Sequence, residues 1–412
     1  MRLFTRFSGA VLIAFSLLRV GVVLGDSAPP QQLLKIYRLH NSPRTADISP
    51  DERLVVTEST TQQNSTDSGT KTFLEVVQVW NFKEDKLVAE FIAHREDVKA
   101  SVKGRFSDPV LGQRIVRFSP DGSLVIALVA QTIHVLRAID LTEVRSIAID
   151  FSGDETQNTH HPQNVIKPSV RALEISPNGA VVAVLWVRGM LDGRIQVYNL
   201  SSGRNALGWG IPQGWIGFTG ELAWHPDGQL ILVAIPNALR CSSPNSQPDV
   251  FAFDAQNGAT KQEFRTGFLP GSIAVSSDNR VLAVDLSCLG VFKNRDPKLK
   301  VFDLITGKHL RDLSGRGGGV RYLVSASANG TRFLAFTGKM KTGFDWGDFV
   351  PLDVVVDETF SVWNLKTYEG IVTSQNIPGL KSSGLRISPK GGYAVSYGKA
   401  SFVYELPSSD FQ

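Results

Sequence analysis

Cysteine is nearly absent from this chain of 412 residues, with Cys241 and Cys288 its two examples, so at most one internal disulfide can form. Charge of one sign is missing too. Lys and Arg number 43 against 39 acids, and discounting Arg2, Arg6 and Arg19 in the N-terminal segment leaves 40 against 39. A near-neutral remainder provides no electrostatic case for nucleic acid or for an anionic membrane surface. Beyond the N-terminus no stretch approaches the ~20 apolar residues that a bilayer-spanning helix needs. Linear catalytic signatures are missing as well: there is no Gly-x-Ser-x-Gly elbow, His-Glu-x-x-His helix, Walker loop or dinucleotide glycine motif. What the chain does have is 42% hydrophobic residues, enough to bury a sizeable core, and a repeat.

The first 25 residues read as a secretory leader. Arg2 and Arg6 precede an apolar run from Phe7 to Leu18, a second run follows Arg19, and Gly25 is a small residue suited to cleavage. No Cys follows to carry a lipid anchor. The expected division is 1–25 signal peptide, 26–32 short linker, 33–407 repeat domain and 408–412 tail. The expected compartment is secreted or periplasmic, with no stable membrane insertion once the leader is removed.

Turn signals recur along the chain. Ile48-Ser49-Pro50-Asp51, Phe118-Ser119-Pro120-Asp121-Gly122, Ile175-Ser176-Pro177-Asn178-Gly179 and Trp224-His225-Pro226-Asp227-Gly228 are followed by weaker copies from Val275, Ala326 and Ile387. Their starts are spaced by 70, 57, 49, 51, 51 and 61 residues. Pro presets φ, and Gly or Asn accepts positive φ, so each copy marks a tight turn. An apolar strand follows each, as in Leu124 to Val129 and Val181 to Val187. A third strand ends in an aromatic and then Asn or Asp: Val79-Trp80-Asn81, Val197-Tyr198-Asn199, Ala252-Phe253-Asp254, Val301-Phe302-Asp303 and Val362-Trp363-Asn364. A fourth strand completes the unit, which predicts an all-β, single seven-bladed propeller. The seventh repeat lacks a fourth strand, and Leu33 to Arg38 is expected to supply it beside Ser401 to Leu406, closing the ring.

The Ser-Pro-Asp-Gly turn and the Val-Trp-Asn strand resemble those of the WD40-like, YVTN-type β-propeller repeat family, over about Leu33 to Leu406. The resemblance implies the fold. It leaves function open, because the family includes many partner-binding scaffolds and related exported propellers include enzymes. The family's Gly-His pair has its only near match at His94.

Antiparallel order, numbered from the centre outward, puts the connections between second and third strands on one face, with those between blades. The insertions Ser59 to Thr72, Pro236 to Pro248, Ser287 to Lys298 and Gly338 to Glu358 fall there, and binding is assigned to this face. Cys241 and Cys288 lie in neighbouring insertions, where a disulfide would staple two loops; two buried thiols are the alternative. Arg44, Arg114 and Arg171 occupy equivalent points on the innermost strands and are candidates for binding a small anionic ligand. Pairing with neighbouring carboxylates such as Asp47 or Glu174 is the structural alternative. Phe344, Asp345, Trp346, Asp348 and Phe349 interleave rings with acids, a composition suited to a protein contact. No metal site is assigned, since the adjacent His160 and His161 cannot easily share one ion, and no cofactor is implied. The expected function is a scaffold that binds a protein partner or ligand. The alternative is a propeller enzyme of the lactonase or oxidoreductase kind, with its site at the channel mouth.

Overall fold

The computed structural model describes residues 35–39, 42–64, 70–99, 114–151, 168–188, 192–211, 221–235, 248–266, 270–285, 299–313, 321–327, 332–344, 351–364, 367–368, 370–373, 382–398 and 401–407. Among them every regular element is a strand, and the 28 strands form seven four-stranded antiparallel sheets. Second strands such as Leu124–Val129 and Val181–Arg188 are buried along most of their length. Their unbroken apolar sequences follow from having both faces covered by neighbouring sheets. Ile126, Leu128 and Ile133 of the second sheet pack in one cluster with Val182, Val184 and Trp186 of the third.

The innermost strands touch in a circuit. Thr45–Ile48 meets Ile115–Phe118, which meets Ser169–Ile175, and contacts continue through Glu221–Trp224, Pro270–Val275, Arg321–Ala326 and Ser382–Ile387 back to the first. The fold is therefore a seven-bladed β-propeller, as the repeats predict.

Local chemistry explains each turn. The Ser hydroxyl donates to the acid or amide two residues on, at 2.6 Å for Ser49 to Asp51, 2.5 Å for Ser119 to Asp121 and 2.7 Å for Ser176 to Asn178. It also accepts the amide that opens the next strand, at 2.9 Å from Leu54 and Leu124. Gly122 turns the chain at φ 75°, and a Cβ there would stand 3.3 Å from Pro50 Cδ of the preceding blade, so the position suits glycine on both counts. At the far end of the third strand, Asn81, Asn199, Asp254, Asp303 and Asn364 each accept an amide two or three residues on.

β1 (Lys35–Arg38) pairs antiparallel with Phe402–Glu405, placing Ile36 opposite Tyr404, and becomes the outer strand of blade seven. The strand missing from the seventh repeat comes from the N-terminal side, as expected, and covers the outer side of Phe402–Glu405. A second bond crosses the same seam. Glu52 accepts the Ser388 hydroxyl at 2.6 Å and the Gly392 amide at 2.9 Å, doing for the turn of blade seven what Asp51 and Asp121 do within the turns of blades one and two.

Two insertions read from sequence as loops are largely strand. Blade one comprises β2 (Thr45–Ile48), β3 (Leu54–Asn64), β4 (Thr70–Asn81) and β5 (Lys86–Lys99), and β2 pairs with β3 only up to Glu58. Beyond it Ser59 to Asn64 pairs with Lys71 to Val76, and Glu75 to Thr70 pairs with His94 to Lys99, a three-stranded extension. In blade six the ladder continues past Thr337 from Lys339, opposite Val356, to Phe344, opposite Pro351. At about 3.3 Å per residue the six pairs make a ribbon about 20 Å long.

Candidate functional site: the charged hub and the hairpin face

Along each innermost strand, alternate residues point into the blade interface or toward the centre. The residue two before each turn Ser, or before His225 in blade four, is Asp47, Arg117, Glu174, Ala223, Ala274, Ser325 and Arg386 in blades one to seven. Four of the seven are charged, and they meet. Arg117 donates to Glu174 Oε1 at 3.0 Å through Nη2 and at 3.3 Å through Nε. Arg386, from blade seven, donates to the same oxygen across the centre of the ring. Asp47 accepts the amide of Phe118 at 2.9 Å. From blade four, Glu221 accepts the hydroxyl of Ser272 at 2.9 Å.

These contacts share a logic. An innermost strand has no strand partner on its central edge, so its amides need acceptors. Polar side chains of the preceding blade supply them: Asp47 for Phe118, Thr45 for Val116 at 3.5 Å, and Ser325 for Ile387 at 3.2 Å. The hub is a set of ties between neighbouring blades, with the Arg386–Glu174 bond adding one across the ring.

Its electrostatics follow from crowding. Burial raises Asp47 to about 6, against the lowering pull of Arg117 and the Phe118 amide. Burial also lifts Glu174 to about 7, with Arg117 opposing and Asp47 adding to the rise. Glu221 rises to about 7, chiefly through burial, with the Ser272 bond opposing. Tyr397 is pushed up to about 12 by burial. Three carboxylates therefore stand at the edge of neutrality beside two guanidinium groups.

The arginines predicted from sequence lie one step away. Arg114 pairs with Glu75 and stands 3.6 Å from Glu58, both acids of blade one and both buried. Burial raises Glu58 to about 7, Arg114 and Arg44 opposing and Glu75 reinforcing the rise. Arg44 also ties β2 to β3 through its amide, which donates to the Glu58 carbonyl at 2.8 Å. Arg171 falls at a register break between Val170 and Ala172. Its buried Nε has no hydrogen-bond partner among the described residues, and burial lowers its pKa. The structure thus joins Arg44 and Arg114 around Glu58 and leaves Arg171 apart. Asp47 and Glu174, named from sequence as possible partners, engage Arg117 and, for Glu174, Arg386 as well. Arg117 and Arg386 were missed; reading every second residue back from each turn would have found them.

Phe344 ends the blade-six strand Arg332–Phe344, while Asp345, Trp346, Asp348 and Phe349 lie outside the described residues, as do Cys241, Cys288, His160 and His161. Among the described residues no group of three His, Cys, Asp or Glu side chains is placed to hold a metal ion, and no helix is long and apolar enough to cross a membrane. No protein-family model matches this chain, and no curated protein matches it.

Proposed function

We propose that this protein is an exported propeller of the WD40-like, YVTN type that works as an interaction scaffold, offering a protein partner the face that bears the extended hairpins. The observation that carries this reading is an asymmetry between the two faces. The described connections from first to second strand are tight turns, whereas the second-to-third hairpins of blades one and six run on well beyond their blades. Those hairpins emerge from one face by the antiparallel order. A rigid ring holding strand-built projections at fixed separation suits recognition of a large surface. The basic and apolar leader supports export, and in an oxidising compartment a Cys241–Cys288 disulfide would brace the same face. Arg171 is the cation best suited there to a small anionic ligand.

One observation favours the enzyme reading: Asp47, Glu174 and Glu221 converge with raised pKa values, a pattern common at catalytic sites. Each of these acids is already occupied in holding a neighbouring blade, which favours the scaffold. The test compares the chain from Asp26 with a copy in which the ribbon between Gly338 and Val356 is cut back to a short turn. Both are used as bait in the native extracellular or envelope fraction. A partner held by the first and lost by the second is expected. Equal capture by both, or turnover of a lactone or redox dye that disappears in Glu174→Gln, would overturn the reading.

A further inference from the structure

The outer rim of blade one differs from every other. Its edge strand β5 has 14 residues, whereas Glu143–Ala148, Asn205–Gly210, Thr260–Phe264, His309–Leu313 and Gly370–Thr373, at the same position in blades two to six, have four to six. β5 ends its sheet, and among the described residues no strand pairs with its outer side. A long open edge of this kind is a template for another strand, and natural proteins usually shorten or cover it.

The side chains on that edge are ordered in a particular way. β5 carries an extra residue, Ala93, between Ile92, opposite Val76, and His94, opposite Glu75. The bulge reverses the alternation, so Glu90, Ile92, Arg95 and Asp97 share one face and Ala89, Phe91, His94 and Glu96 the other. The burial pattern agrees: the first four are exposed and the second four partly covered. Ile92 is 52% exposed and the Arg95 side chain 66%.

We infer that β5 is a self-association edge that pairs antiparallel with β5 of a second copy of this chain about a two-fold axis through Ile92. The argument is charge self-complementarity. With Ile92 opposite its own copy, the reversal sets Glu90 of each chain opposite Arg95 of the other and Phe91 opposite His94, each twice, while Ala89 meets Glu96. Both new ion pairs lie on the exposed face and flank the Ile92 contact. Opposite charges directly across a ladder stabilise it, and like charges there oppose it. Within one chain Glu90 accepts Gln78 Nε2 at 2.6 Å, and Arg95 lies 3.6 Å from Asp97. The pairing joins two copies of this chain along the rim of blade one and the base of its extension, and needs no other protein, so this inference stands apart from the proposed function. An edge contact buries little area, so the dimer forms only at high protein concentration.

The experiment is sedimentation velocity over a wide concentration range on the chain without its leader, with Glu90→Arg, Arg95→Glu, the double swap, and an equimolar mixture of the two single variants. Melting curves check that each folds. The wild type is expected to dimerise as concentration rises and each single variant to stay monomeric. The double swap and the mixture regain the dimer, because a guanidinium introduced at position 90 then faces a carboxylate introduced at position 95 across the axis. A wild type that stays monomeric, single variants that dimerise normally, or a mixture that stays monomeric would each overturn the inference.

Discussion

Glu52 stands where other turns place a residue able to adopt positive φ, and it does so itself at φ 62°, beside Gly122 at 75°, Gly179 at 71° and Gly228 at 75°. A β-unbranched acid tolerates the left-handed region at a modest cost. What offsets the cost is the carboxylate's reach into blade seven, whose own turn has Lys390 where blades one and two have Asp. Glu52→Ala is expected to lower unfolding stability by about 1–3 kcal/mol, the loss of a charged acceptor shared by two donors. Lys390→Asp alone also destabilises, since two carboxylates then compete for the Ser388 hydroxyl. Combined, the substitutions recover most of the loss, because blade seven regains an acid of its own. Denaturant melts of the three variants check this sign reversal; simple additivity would contradict it. The Ser-Pro-Asp-Gly turns were legible in sequence because every partner lies within five residues. Glu52 was not, since its partner is 336 residues away.

Among elements, the second strands could be read to within a residue or two because burial on both faces makes them continuously apolar. The extensions could not. Ser59 to Gln63 is Ser-Thr-Thr-Gln-Gln, and Thr61, Gln62 and Gln63 are exposed. The first strand of the ribbon is polar and exposed at its outer end, so hydrophobic periodicity is silent there and the run reads as loop. The arginine candidates illustrate a related limit. Arg44, Arg114 and Arg171 share a position in the repeat, but the ladder has a register break there in blades three, five and seven. A bulge re-aims side chains, so equal spacing in sequence does not give equal direction in space. Two residues before the turn the ladder is regular, and there the charges do converge.

For the whole molecule, the buried acids give stability a definite pH dependence. Burial raises Asp47 from 3.8 to about 6, and raises Glu58, Glu174 and Glu221 from 4.5 and Asp249 from 3.8 to about 7. Between the unfolded and folded values the folded chain holds more protons, so stability is fullest at the low end and is lost as pH rises through 6 to 7. Turn acids oppose this only lower down. Asp121 is held below 3.8 by the Ser119 hydroxyl, and Asp140 and Asp303 by the Thr142 and Thr306 amides, so they withdraw stability only as pH falls below that value. The melting temperature is therefore expected to be higher at about pH 5 than at about pH 8, with Glu174→Gln flattening the difference; the reverse order would refute the burial argument.

Asp47, Glu174 and Glu221 give the hub its share of this pH response while tying blades together, and the hairpin face is the proposed recognition surface. The most direct test of that division is the dissociation constant of the captured partner for the wild-type chain and for Glu174→Gln. The hub account predicts values that agree within a factor of about two, even where the melting curves differ. Weakening by more than about tenfold, with the fold intact, would place the hub within the binding site and contradict the account.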